Sequence, residues 1–277
     1  VLFRSGFEPD TTLQRVGDRD VLIGTDHSTG YAWNADLPAS RAYFQYQVNA
    51  DDPDDHVTTR IEDVAGRDGP TRALYQEVRS DAAGDTVKTR NNFLLAPPNE
   101  QQGYIRYRIK LQEDFLAAWP DDNPWRIVME WMEPKPAGCT SGNSNYRIHI
   151  ELQPWLGAPS WVLRGEQVCP VRKVIWEIRN PAVAVPIGEW FDLEAFWRYG
   201  DEATGRAWFA VDGVLVADHV GSTQHPDNPL GIDRWFLFKA YGAPPEAGNP
   251  AAWKLPLKQW IDDVELRHEA PAGAPTE

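Results

Sequence analysis

Apolar and polar residues alternate along much of the chain. In RAYFQYQVNA (41–50), TRALYQEVRS (71–80), GYIRYRIKLQ (103–112), PWRIVMEWME (124–133) and NYRIHIELQP (145–154), apolar residues return at every second position, many of them aromatic or β-branched. The pattern continues in EWFDLEAFWRY (189–199), RAWFAVDGVLVADHV (206–220), RWFLFKAY (234–241) and QWIDDVELRHE (259–269). Successive strand side chains point to opposite faces, so this period predicts strands with one packed face. Turn formers separate the segments and no regular helical alternation intervenes. The pattern therefore predicts an all-β chain, a β-sandwich or jelly roll.

Asp212-Gly213 between two β-forming runs predicts a tight hairpin, and Asp201 to Gly205 a second turn. FLAAWPDD at 115–122 predicts a short helical turn ended by Pro120. The Pro/Gly-rich 243–253 reads as a long loop and 270–277 as a flexible C-terminal tail, leaving 1–269 as one domain.

Composition narrows the function. The 277 residues are 42% hydrophobic, enough for a sizeable core. Asp plus Glu outnumber Lys plus Arg by 41 to 27, and the net charge of −14 repels nucleic acids, anionic membranes and polyanionic sugars alike; neither nucleic acid nor membrane is an expected partner, and an anionic polymer would need a local basic groove. Arg106, Arg108 and Lys110 form a local exception, lining one side of a strand. No apolar run approaches the roughly 20 residues of a membrane span. The opening VLFRSGFEPD lacks a full secretory signal, so a secreted form implies a trimmed precursor or an omitted start. The two cysteines, Cys139 and Cys169, are too few for a structural zinc site. A bridge between them fits an oxidising compartment, hence a secreted or periplasmic protein; two separate thiols are the alternative.

Thirteen tryptophans offer broad apolar faces that suit either core packing or a sugar ring. In NYRIHIELQP, Arg147, His149 and Glu151 share one face, and Ile148, Ile150 and Leu152 the other. PWRIVMEWMEP places Arg126, Val128, Glu130 and Met132 together, opposite Ile127, Met129 and Trp131. RWFLFKAYG places Leu237, Lys239 and Tyr241 opposite Phe236, Phe238 and Ala240. A lysine can neutralise a substrate carboxylate and a tyrosine can pass a proton. A glycosidase pair would need Glu130 with Glu151 or Glu77. The six histidines form no close two-histidine metalloprotease pattern, although His219 and His225 could meet across a loop, and no phosphate loop, nucleophile elbow or redox motif occurs.

The run from GFEPD (6–10) through TRALYQEVRS, GYIRYRIKLQEDF, WRIVMEWMEP, GEWFDLEAFWRYGDEATGRAWFAVDGVLV and RWFLFKAYG to WIDDVEL resembles the concanavalin A-like jelly rolls of polysaccharide lyases, particularly heparin-lyase-I-like and glucuronan/alginate lyases. WFLFKAYG is similar to the alginate-lyase strand Tyr-Phe-Lys-Ala-Gly-x-Tyr, with Lys239 and Tyr241 at its lysine and tyrosine. YQEVR partly matches Arg-x-Glu-Leu-Arg through Glu77 and Arg79, with Tyr75 in place of the first arginine. Glu130-Trp131-Met132 stands where those lyases have Gln-x-His, leaving His149 on the following strand as the substitute histidine.

The resemblance implies β-elimination on a uronic-acid polysaccharide or oligosaccharide, with no catalytic cofactor. His149, Tyr241, Lys239 and Glu130 would serve catalysis, and Glu77, Arg79, Arg126, Arg147 and Glu151 would bind substrate. It also implies a structural calcium held by Glu8, Asp10, Asp262 and Asp263. Hydrolysis by paired carboxylates and sugar binding without chemistry are the alternatives, and a monomer is expected.

Overall fold

The computed structural model describes residues 2–17, 19–47, 56–79, 90–96, 101–118, 125–242 and 256–274. Two antiparallel sheets dominate it. In spatial order, the first contains β15 (Val214–Val220), β14 (Arg206–Val211), β13 (Trp190–Arg198), β8 (Gln102–Leu111), β18 (Leu257–Arg267), β6 (Pro70–Val78) and β5 (Val57–Ala65). β1 (Phe3–Ser5) adds to β18. The second runs β12 (Lys173–Asn180), β11 (Ala158–Gln167), β10 (Tyr146–Trp155), β9 (Arg126–Met132), β16 (Arg234–Phe236), β7 (Arg90–Leu95), β4 (Ala42–Gln47), β3 (Arg19–Ile23) and β2 (Thr12–Val16). β17 (Tyr241–Gly242) also pairs with β9. Two single-turn helices, α1 (Trp33–Asp36) and α2 (Phe115–Ala118), complete the described elements. The fold is thus the all-β jelly roll that the alternating pattern predicts.

The alternation becomes the core. Leu74, Ile105, Tyr107, Ile109, Phe191 and Leu193 of the first sheet meet Met129, Trp131, Ile148, Ile150, Trp161 and Leu163 of the second, all buried. Burial of this much apolar area is the main stabilising term. Trp33, Trp131, Trp161, Trp197, Trp208 and Trp235 are fully buried, so packing consumes much of the tryptophan supply. Asp212 and Gly213 turn the β14–β15 hairpin with φ of 48° and 75°, the paired left-handed conformation of a tight hairpin.

Each strand segment named above contains at least one strand, but two faces differ from expectation. In β9 the pairing with β10 passes from Ile150–Met129 to Glu151–Ile127, leaving Val128 as a bulge. A bulge adds one residue and reverses the faces beyond it. Arg126 therefore leaves the face of Glu130 and Met132 and turns inward to Gln259. In 234–241 the pairing partners jump from Phe236–Glu130 to Tyr241–Ile127, with two extra residues on the 234–241 side. Across this break alternation is lost: Phe236 packs with Leu94 and Met132 on the outer face, while Leu237 and Phe238 both join the core. β1, β2, β3, β5, β7, β11 and β12 lie outside the segments singled out by alternation.

Cys139 and Cys169 form a disulfide, joining the β9–β10 and β11–β12 connections. Of the expected tail, Ala270 and Ala274 pack beside Tyr104, Phe196 and Trp208. Pro120 and the expected loop at 243–253 lie outside the described residues.

Candidate active site

The outer face of the second sheet carries a network of opposite charges. Three rows cross its strands by register: Arg234, Met132, Arg147 and Glu166; Phe236, Glu130, His149, Arg164 and Glu177; and Tyr241, Ile127, Glu151, Val162 and Arg179. Lys239 enters beside the middle row and pairs with Glu130. The Arg147 guanidinium bridges Glu130, at 3.0 Å, and Glu166. Arg172 Nε closes on the other oxygen of Glu166 at 2.6 Å. Glu151 accepts from Arg164 at 3.0 Å and from Gln153 Nε2 at 2.6 Å. Arg164 extends the chain to Glu177 at 2.7 Å.

Glu130, His149, Glu151 and Glu166 are buried although they occupy an outward face, because neighbouring strands supply long charged side chains that cover them. Burial disfavours charge, and the partners decide which groups retain it. Burial works against the Arg147 cation, but Glu130 and Glu166 outweigh it and hold its pKa above the usual value. Burial pushes the Glu151 carboxyl up to about 7, against the opposing pull of Arg164 and Arg147. His149 is driven well below the usual imidazole range by burial, then by the positive charges of Arg147, Arg164, Lys239 and Arg172. It is therefore a neutral base at neutral pH. Among the described residues neither ring nitrogen of His149 has a hydrogen-bond partner, and Nε2 stands 3.7 Å from Glu151 Oε2.

Tyr241 flanks this centre, with Lys239 Nζ 5.1 Å from its ring centroid and Trp125 edge-on at 4.9 Å. Thus Glu130, His149, Lys239, Arg147, Glu151 and Tyr241 gather on one face. Asn92 joins them as a residue the sequence reading missed. Its neighbours Asn91 and Phe93 point inward, and Asn91 bridges to Ala240, so Asn92 stands outward opposite Lys239. Asn92 is fully buried and both its amide atoms lack hydrogen-bond partners among the described residues. Arg164, Glu166 and Arg172 were also missed. Arg164 and Glu166 carry a period-two signal in VLRGEQ, but Pro159 and Gly165 punctuate that strand like loop residues.

Glu77 and Arg79 do not join the site. They pair with each other on the first sheet, where the Tyr75 hydroxyl donates to Glu77 and the Tyr75 ring contacts Trp260 at 5.3 Å. The adjacent Gln76 and Leu74 face the interior, so Glu77 points away from the second sheet. A Glu130–Glu77 pair is therefore separated by the whole sandwich, which leaves Glu151 as the partner acid on the same face. Arg126 is withdrawn into the interior by the Val128 bulge.

The expected metal residues lie at the β1–β18 junction. A Cβ built on Gly6 would meet Asp262 Oδ1 at 3.3 Å, Glu8 Oε1 at 3.7 Å and Asp263 Oδ1 at 3.9 Å, so three carboxyl groups lie close to Gly6. Burial and the Asp263 charge raise the Asp262 pKa to about 6. Asp262 also accepts from Thr71, and Asp263 pairs with Arg108 at 2.9 Å. Asp10 instead contacts His27 at 2.6 Å. Among the described residues, no three acidic, histidine or cysteine side chains are arranged to hold a metal ion.

No protein-family model matches the chain, and no curated protein sequence does. Its fold nevertheless matches solved polysaccharide lyases. An endo-β-1,4-glucuronan lyase from the fungus Trichoderma reesei superposes with a TM-score of 0.53 at 14% identity, covering 86% of this chain and 99% of its own. An alginate lyase gives 0.52 at 11% identity, covering 94% and 97%. A marine alginate lyase from Aplysia kurodai gives 0.51 at 9%, covering 88% and 96%. The chain has the jelly-roll fold of alginate and glucuronan lyases, and at these identities the likeness speaks for fold alone.

Proposed function

We propose that the protein is a polysaccharide lyase that cleaves a uronic-acid chain by β-elimination on the outer face of the second sheet. The observation that carries this reading is His149, a buried neutral imidazole with unpartnered ring nitrogens among four cationic side chains. A neutral imidazole can accept the C5 proton. Lys239 and Arg147 would offset the substrate's C6 carboxylate and stabilise the negative charge that develops when the proton leaves. Substrate binding would have to loosen their contacts with Glu130. Tyr241 would return a proton to the leaving glycosidic oxygen.

The test follows absorbance near 235 nm and new reducing ends together on glucuronan, alginate, heparin-like chains and neutral β-glucans. Elimination raises both signals, and His149→Ala should lower kcat by at least about 100-fold. Reducing ends without absorbance would exclude elimination. That outcome would favour hydrolysis by Glu151 and Glu130, a reading supported by Glu151 holding its proton up to about pH 7. Silence in both signals with retained polymer binding would favour sugar recognition without chemistry.

The disulfide supports a secreted or periplasmic location as part of the same proposal. A structural calcium at Glu8, Asp262 and Asp263 also belongs to it, supported by the nearness of their carboxyl groups to Gly6, although these side chains would have to rearrange to surround an ion. Calcium would relieve their mutual repulsion and should raise the melting temperature over that in chelator. Equal melting in calcium and chelator would remove the ion from the proposal.

A further inference from the structure

Arg126 opens β9 and faces the interior between the two sheets, almost wholly buried. Its Nη2 donates to Gln259 Oε1 at 2.6 Å, while Nε and Nη1 have no hydrogen-bond partner among the described residues. Gln259 in turn donates to Gln76 Oε1 at 2.8 Å, Gln76 to Asn91 Oδ1 at 2.8 Å, and Asn91 to Thr59 Oγ1 at 2.8 Å. This polar chain crosses the sandwich using neutral amides and a hydroxyl, so it brings no negative charge to the guanidinium. The Phe115 ring stands 5.3 Å from Cζ. Tyr107, the ionisable group that influences Arg126, is held in its neutral form by burial. Burial lowers the Arg126 pKa to about 9, which still leaves a cation at neutral pH.

A buried cation without a counter-charge is costly, and protein interiors normally resolve it by pairing. Water could satisfy the two free donor nitrogens but not the charge. A ligand that only accepts hydrogen bonds and carries one negative charge meets both needs. The guanidinium lies between the two sheets, on the side of β9 opposite the face where a polymer would bind, and a dianion would overcompensate a single guanidinium. We propose that Arg126 binds a small monovalent anion of the halide class between the sheets. Arg126 pairs across the strands with Leu152 and Gly242, so the anion would brace the corner of β9, β10 and β17 from which Tyr241 projects.

Thermal melting of the full chain at constant ionic strength, with chloride replacing methanesulfonate, tests the site. The wild-type melting temperature should rise saturably by about 5 °C, because a ligand bound only to the folded state stabilises it. Arg126→Met should abolish the chloride dependence and melt at or above wild type in methanesulfonate, since it removes the uncompensated charge. Bromide-soaked wild-type crystals should give an anomalous peak beside the guanidinium, a readout that does not require the variant to fold. A wild-type melting temperature indifferent to chloride, no bromide peak at Arg126, or chloride dependence that survives in Arg126→Met would each overturn the proposal.

Discussion

Glu151 and His149 stand two residues apart on β10, and burial moves both toward their neutral forms. For Glu151 the sign is measurable. Its folded pKa of about 7 exceeds the usual 4.5, so between those values the folded chain binds more protons than the unfolded chain. Stability conferred by the protonated form is complete below about pH 4.5 and is lost as pH rises through about 7. A rise from 4.5 to about 7 corresponds to at most about 3 kcal/mol. Glu151→Gln keeps the side chain's shape and leaves Arg164 paired with Glu177, so it should be more stable than wild type at pH 8 by up to that amount. The gap should close by about pH 4.5. Denaturant unfolding at both pH values checks this, and a gap that does not change with pH would refute the assignment.

At the scale of elements, the period-two reading located many strands and correctly placed Arg147, His149 and Glu151 opposite Ile148, Ile150 and Leu152. Alternation failed at irregularities, because it carries faces unchanged through any bulge. The Val128 bulge moved Arg126 inward, and the break in pairing between Phe236 and Tyr241 left Phe236 outward with Leu237 and Phe238 both inward. Strand order was not legible either, so alternation alone could not separate Glu77 from Glu130, which lies on the opposite sheet. The network's depth depended on β11, whose pairing with β12 shifts after Gly165. A Cβ there would lie 2.2 Å from the Tyr146 hydroxyl and 2.3 Å from Trp176 Cε2. Gly165→Ala must therefore displace two large side chains beside Glu166. It should cost about 1–3 kcal/mol in unfolding free energy, and wild-type stability in that variant would sink this account of the shift.

At the scale of the whole molecule, the charge of −14 opposes approach of a polyuronate, while the proposed site contacts it through cations. Those cations are not a free basic patch. Lys239, Arg147, Arg164, Arg172 and Arg179 interleave with Glu130, Glu151, Glu166 and Glu177, so much of their field is cancelled within the network. The long-range interaction should therefore be repulsive, with attraction confined to contacts made after water is displaced. Salt separates these contributions, since the screening length falls from about 30 Å at about 10 mM to about 8 Å at about 150 mM. If a polyuronate is cleaved, its KM should fall several-fold across that range, while a neutral glucan binding the same face should respond little. A rise in KM for the polyuronate would mean that local cations dominate its approach. The alternating network would then be opening on encounter to expose them, because the closed arrangement cancels the field such attraction requires.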